Sequence, residues 1–160
     1  MVSASKQRRY ASIQAQLVEL LAKSDDPTAR MATIVALLHH KQPRFSWTGF
    51  YRKVESGDLL VGVYQGLVAC QVLPEGVGVC QAAVQRGQTV VVADVHSFPG
   101  HIACDSRSRS EIVVPVRDAD GAIVAVLDVD STRPDSFDAL DAEQLEIIAG
   151  WVYGPTQFEI

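Results

Sequence analysis

The stretch Ala93-Asp-Val-His-Ser-Phe-Pro-Gly-His-Ile-Ala-Cys-Asp-Ser-Arg-Ser-Arg-Ser110 gathers two histidines, a cysteine, two aspartates and two arginines into eighteen residues without periodicity. A loop of that length inside a compact domain is usually functional or disordered. The company of Phe98, Ile102 and Cys104 favours a folded, functional loop. A thiol becomes a useful nucleophile when nearby positive charge or backbone amides stabilise its thiolate. Cys104 has His101, Arg107 and Arg109 close in sequence. The other two cysteines, Cys70 and Cys80, lie in the apolar runs Val68-Ala-Cys-Gln-Val72 and Val79-Cys-Gln-Ala-Ala83. On composition alone these are small core residues, the common fate of a free cysteine.

A second constellation is acidic. Glu111 follows the loop directly, and Asp128 and Asp130 stand two residues apart in Leu127-Asp-Val-Asp-Ser131. In a strand that spacing puts both acids on the face opposite Val129. Carboxylates on neighbouring strand ends can converge, bind a cation, or donate a proton where crowding raises a pKa. The alternative is that the two aspartates mark the strand's exit to solvent; two acids on one face of an apolar strand favour a site. Other chemistries are less well supported. His96, His101 and Cys104 match no standard zinc spacing and the chain has no CxxC pair, so no metal is expected. No serine sits in a GxSxG setting, and Gly76-Val-Gly78 lacks the rest of a dinucleotide fingerprint.

The elements that must position these groups are legible from periodicity. Tyr10, Ile13, Leu17, Leu20 and Leu21 recur at helical spacing. Asp26-Pro27 reads as an N-cap followed by proline at the first helical position, opening a second helix that Pro43 stops. From Phe45 the period becomes two, with Phe45, Trp47, Gly49 and Tyr51 expected on one face. Strands follow over Leu59–Tyr64, Val68–Leu73 and Thr89–Val92, with a short helix around Cys80 ended by Gly87. Glu111–Arg117 and Ala122–Asp130 form a hairpin across Asp118-Ala-Asp-Gly121, and Phe137–Val152 a closing helix. Strands arriving as hairpins predict an α+β fold, an antiparallel sheet with helices packed mainly on one face. A single domain over residues 1–160 is expected: helices over about 3–41, sheet and loop over about 45–131, and the last helix over about 137–152.

Composition bounds the partners. Lys+Arg 14 against Asp+Glu 19 leaves a net charge of −5, and no basic stripe is present for nucleic acid. The longest apolar run, Ala122–Leu127, is far short of the roughly 20 residues that span a bilayer. Three cysteines and no export signal at the start of the sequence argue against a disulfide scaffold and for a cytoplasmic, reducing location.

Taken together, Trp47-Thr-Gly-Phe-Tyr51, Tyr64-Gln-Gly66 before Ala69-Cys70, Gly76-Val-Gly-Val-Cys80, Asp94-Val-His-Ser-Phe-Pro-Gly-His-Ile-Ala-Cys-Asp105, Ser110-Glu-Ile-Val-Val-Pro115 and Val126-Leu-Asp-Val-Asp-Ser131 resemble the free methionine-(R)-sulfoxide reductases, stand-alone GAF-domain enzymes. The resemblance implies a GAF-like antiparallel sheet and thiol-dependent reduction of free L-methionine-(R)-sulfoxide. It makes Cys104 the attacking thiol, Cys70 the resolving one, and Cys80 an auxiliary or alternative resolving one. Glu111, Asp128 and Asp130 would hold the substrate's amino group and assist protonation of its oxygen, with Trp47 and Tyr51 as an aromatic wall. No bound cofactor is implied, only an external thioredoxin-type reductant, and a homodimer is allowed for. The sequence departs from the family's pattern at Ser46, Leu67-Val68 and Gln81, where asparagine, Lys-Pro and glycine are frequent. These departures bear on affinity and loop geometry. The competing readings are a non-catalytic GAF module for a small regulator and a redox sensor that reacts once. The cyclic-nucleotide type of module relies on an asparagine-containing motif, and this chain has no asparagine.

Overall fold

The hydrophobic alternation of the strands builds a six-stranded, wholly antiparallel sheet in which the strands, counted along the chain, lie in the order third, second, first, sixth, fifth, fourth. The computed structural model describes residues 3–156. Its elements are α1 (Ala4–Leu21), α2 (Pro27–Lys41), β1 (Trp47–Lys53), β2 (Leu59–Gln65), β3 (Val72–Leu73), α3 (Gly78–Arg86), β4 (Val90–Val92), a 3-10 turn at Val95–Ser97, β5 (Ser110–Arg117), β6 (Ile123–Ser131) and α4 (Ala139–Gly150).

Each helix starts for a local reason. The Asp26 carboxylate accepts from the Ala29 amide at 2.7 Å and Pro27 sits at the first turn, so α2 begins where the Asp-Pro step places it. Asp138 caps α4 in a reciprocal box with Asp141. Asp141 is buried and also accepts from the Tyr10 hydroxyl at 2.7 Å and from Lys6, which ties α1 to α4.

The sheet separates two cores. On one face α1, α2 and α4 pack through Tyr10, Ile13, Leu17, Ile34, Leu38, Leu145 and Ile148 onto Phe50, Ile112, Val114, Leu127 and Val129. On the other face α3, the loop before β3 and the loop after β4 cover Trp47, Tyr51, Leu59, Val113 and Val126. Helices therefore lie mainly on one face, as the sequence predicts. The thinner face is the one left open for a pocket.

Two sequence expectations are corrected. Phe45 does not share the face of Trp47; it precedes β1 and packs against Phe137, ring centroids 5.8 Å apart, in the three-helix core. The strand expected over Val68–Leu73 shrinks to Val72–Leu73. The residues before it form a loop over the open face, where Val68 is 83% exposed and Cys70 is bonded covalently to Cys104. Apolar residues there line a cavity mouth rather than a sheet.

Candidate active site

Strand register brings the acidic residues together. Glu111 of β5 pairs with Asp130 of β6, Val113 with Asp128, and across β1 Asp130 faces Trp47 and Asp128 faces Gly49. Side chains alternate along a strand, so Glu111, Asp128, Asp130, Trp47 and Tyr51 all project from the face that α3 covers. Glu111 and Asp128 are buried, and Asp130 is half-buried.

Three desolvated carboxylates on one face cannot all stay ionised. Burial, then the charges of Asp128 and Asp130, pushes the Glu111 carboxyl well above its usual range. Asp130 is raised by burial and by Asp128 and Asp105. Burial raises Asp128 to about 6, so of the three it is the one that ionises near neutral pH. Its Oδ1 is buried and finds no hydrogen-bond partner among the described residues.

The aromatic wall has a second task. Trp47 stacks between Tyr51 and Tyr64, with centroids 5.8 Å and 5.2 Å away. Its indole N–H donates to the Leu67 carbonyl at 3.1 Å, and the Tyr51 hydroxyl donates to the Cys70 carbonyl at 3.0 Å. Both therefore anchor the loop that carries Cys70. Gly66, at φ +126°, permits the turn: a Cβ there would lie 2.6 Å from Trp47 Cδ1.

The long loop after β4 is folded. The Asp94 side chain caps the 3-10 turn, the Val95 amide donates to the Arg109 carbonyl at 2.8 Å, and the Arg109 amide donates to the Ser131 carbonyl at 2.8 Å. Held at both ends, the loop swings Cys104 over the pocket, where it forms a disulfide with Cys70, Cα atoms 5.4 Å apart. Cys80, on the first turn of α3, is free and buried, its thiol 4.0 Å from Glu111 Oε1. Burial and the neighbouring Asp128 and Glu111 charges push that thiol up, which keeps it protonated.

The sequence expected Arg107 near the Cys104 thiol; instead its guanidinium pairs with Asp105 at 2.9 Å on the exposed side of the loop. His101 was not singled out as a site residue, yet it lines the pocket with its Nδ1 3.9 Å from Glu111 Oε2. Burial, then His96, lowers its pKa, so the ring is neutral at neutral pH. Tyr64 was also missed. Its alternation along Leu59–Tyr64 marked it as a strand residue, and only the β1–β2 register shows that it stacks on Trp47.

These groups surround a cavity of about 50 Å³ lined by Trp47, Tyr51, Cys80, Cys104 and the three acids. An antiparallel sheet that carries thiols and carboxylates on its thinly covered face fits the GAF class, and the GAF domain family matches residues 25–152. The chain is 44% identical to the Bacillus subtilis protein YtsP, over 89% of this chain and 88% of that one. It is 41% identical to the free methionine-R-sulfoxide reductase of Escherichia coli, over 80% of this chain and 76% of the relative. Its fold is similar to that of the free methionine-R-sulfoxide reductase from Neisseria meningitidis in complex with its substrate, with a TM-score of 0.88, 38% identity, and coverage of 95% and 90% of the two chains. The chain belongs to the free methionine-R-sulfoxide reductase family of GAF-domain proteins.

Proposed function

We propose that the protein reduces free L-methionine-(R)-sulfoxide to L-methionine, using Cys104 as the attacking thiol and Cys70 as the resolving one. The observation that carries this reading is the Cys70–Cys104 disulfide beside three converging carboxylates. Membership of the reductase family supports it.

The chemistry follows from the groups at hand. Asp128, ionised near neutral pH, offers its unpartnered Oδ1 to the ammonium of a free amino acid. Trp47 and Tyr51 pack the methylthio end. The Cys104 thiolate attacks the sulfoxide sulfur while Glu111, kept protonated by burial, gives its proton to the oxygen. The sulfur–sulfur bond then breaks as the hydroxyl passes from the methionine sulfur to Cys104, which releases methionine and leaves a sulfenic acid. The Cys70 thiol then condenses with it, releasing water and forming the disulfide. A dithiol protein of the thioredoxin class reopens that bond by exchange. Cys80 lies outside this disulfide and serves as an auxiliary thiol. A peptide-bound methionine sulfoxide has no ammonium at this position, so the pocket selects the free amino acid.

The test is a turnover assay with a dithiol reductant, comparing free R sulfoxide, free S sulfoxide and an internal methionine sulfoxide in a peptide. Many turnovers confined to the free R form are expected. A single turnover per chain would instead indicate a redox sensor, and none at all a binding module.

A further inference from the structure

Cys80 has no part in the disulfide, yet it sits at the centre of the acidic group. Its Sγ, one oxygen of Glu111 and one of Asp128 all lie within 4.8 Å of one another. The three side chains are only 4%, 5% and 6% exposed. Two come from adjacent strands and one from the first turn of α3, so backbone elements rather than a loose loop hold the constellation. The buried, unpartnered Oδ1 of Asp128 is an independent sign that this corner is built to take a cation.

A free ammonium accounts for the carboxylates but gives no role to a thiol at 4.0 Å from Glu111 Oε1. One sulfur and two carboxylate oxygens form a mixed donor set. Magnesium and calcium favour all-oxygen shells, whereas zinc accepts sulfur and oxygen in a tetrahedron with three protein ligands and one open position. Bond lengths of about 2.3 Å to sulfur and about 2.1 Å to oxygen put the donors of such a tetrahedron roughly 3.6 Å apart. The observed spacing, at most 4.8 Å, needs a contraction of up to about 1.2 Å. His101, 3.9 Å from the other oxygen of Glu111, stands where an outer partner would orient that carboxylate.

We propose that Cys80, Glu111 and Asp128 form a binding site for a zinc-class divalent cation, which occupies the pocket in competition with substrate. The fourth coordination position faces the cavity, and the protons of Cys80 and Glu111 leave to solvent on binding. The cation is an inhibitor here, not a cofactor. Its binding stands apart from the proposed sulfoxide chemistry; only the competition rests on that reading.

The disulfide form of the full chain makes the test clean, because Cys80 is then the one remaining thiol. Cobalt(II) alone, added to that form, is expected to give one equivalent of a sulfur-to-cobalt charge-transfer band in the near ultraviolet, which zinc abolishes. The band should vanish in Cys80→Ala. It should persist in Asp128→Asn, but with affinity lower by roughly tenfold or more, at least the scale set by outer-shell partners. Absence of the band in the wild-type chain would overturn the proposal, as would its survival in Cys80→Ala. Normal near-ultraviolet circular dichroism of each variant before metal is added excludes misfolding as the cause of a lost band. With the reduced protein, zinc should raise the KM for the sulfoxide without changing kcat. A band without that competition would confine the site to binding and overturn the inhibitory part, whereas lack of turnover with intact cobalt binding would count against the sulfoxide reading alone.

Discussion

The hydroxyl of Tyr51 donates to the backbone carbonyl of Cys70 at 3.0 Å, so one aromatic side chain both walls the pocket and holds the segment that carries one half of the disulfide. Burial, followed by the charges of Asp128, Cys80, Asp130 and Glu111, pushes the Tyr51 pKa up, which keeps the hydroxyl a donor across the working pH range.

Tyr51→Phe keeps the ring and deletes this bond. A neutral hydrogen bond contributes about 0.5–1.5 kcal/mol, so disulfide formation should slow by about two- to tenfold. The first release of methionine should be little changed. Rapid-quench measurement of the first turnover beside the steady-state rate separates the two; equal slowing of both would remove the anchoring role.

Cys104→Ser should abolish reduction, because serine cannot accept the sulfoxide oxygen as a sulfenic acid. Cys70→Ser should release about one methionine per chain and then stall, with the sulfenic acid trapped by dimedone. Continued turnover of the Cys70 variant would make Cys80 the working partner.

Asp128→Asn removes the charge proposed to face the substrate's ammonium. A hydrogen bond to a charged group is worth about 1.5–3 kcal/mol, so KM should rise by roughly ten- to a hundredfold. The wild-type pH profile should report the same group. With its pKa raised to about 6, Asp128 is anionic above that value and protonated below it. The KM should therefore be flat near neutral pH and climb as pH falls through about 6. Asn at this position should erase that rise, and a rise that persisted would belong to another group.

Asp141→Ala tests the fold. It removes the acceptor of the buried Tyr10 hydroxyl and of the Asp138 amide, and a partner of Lys6. Leaving a buried donor unpaired costs about 1–3 kcal/mol. A lower Tm is expected with the active-site chemistry intact, checked by thermal melting alongside the turnover assay.

How much of this could be read from the sequence depended on whether the cause was local. The Asp26-Pro27 helix start and the Asp118–Gly121 hairpin turn are written in a few adjacent residues, and both appear as expected. The period of Leu127–Ser131 put Asp128 and Asp130 on one face correctly. The shared face with Glu111 and Trp47 depends on strand register, which no single segment encodes. The Val68–Leu73 stretch misled because apolar composition looks the same whether it faces a core or a cavity mouth. The sequence sets His101 near Cys104 but does not show its contact with Glu111, which is brought to it only when the loop folds back over the sheet. Arg107 looked like a thiol activator by proximity in the chain, but its neighbour Asp105 captured it first.

The bond between Cys70 and Cys104 has a sequence separation of 34 and encloses β3, α3 and β4 in a covalent ring. In the chain-entropy account, closing a ring of this size restricts the unfolded chain by about 3–5 kcal/mol. Reduction opens the ring. The thiol form is thus the more easily melted of the two, and under the proposed cycle each turnover alternates the molecule between a tougher and a softer state.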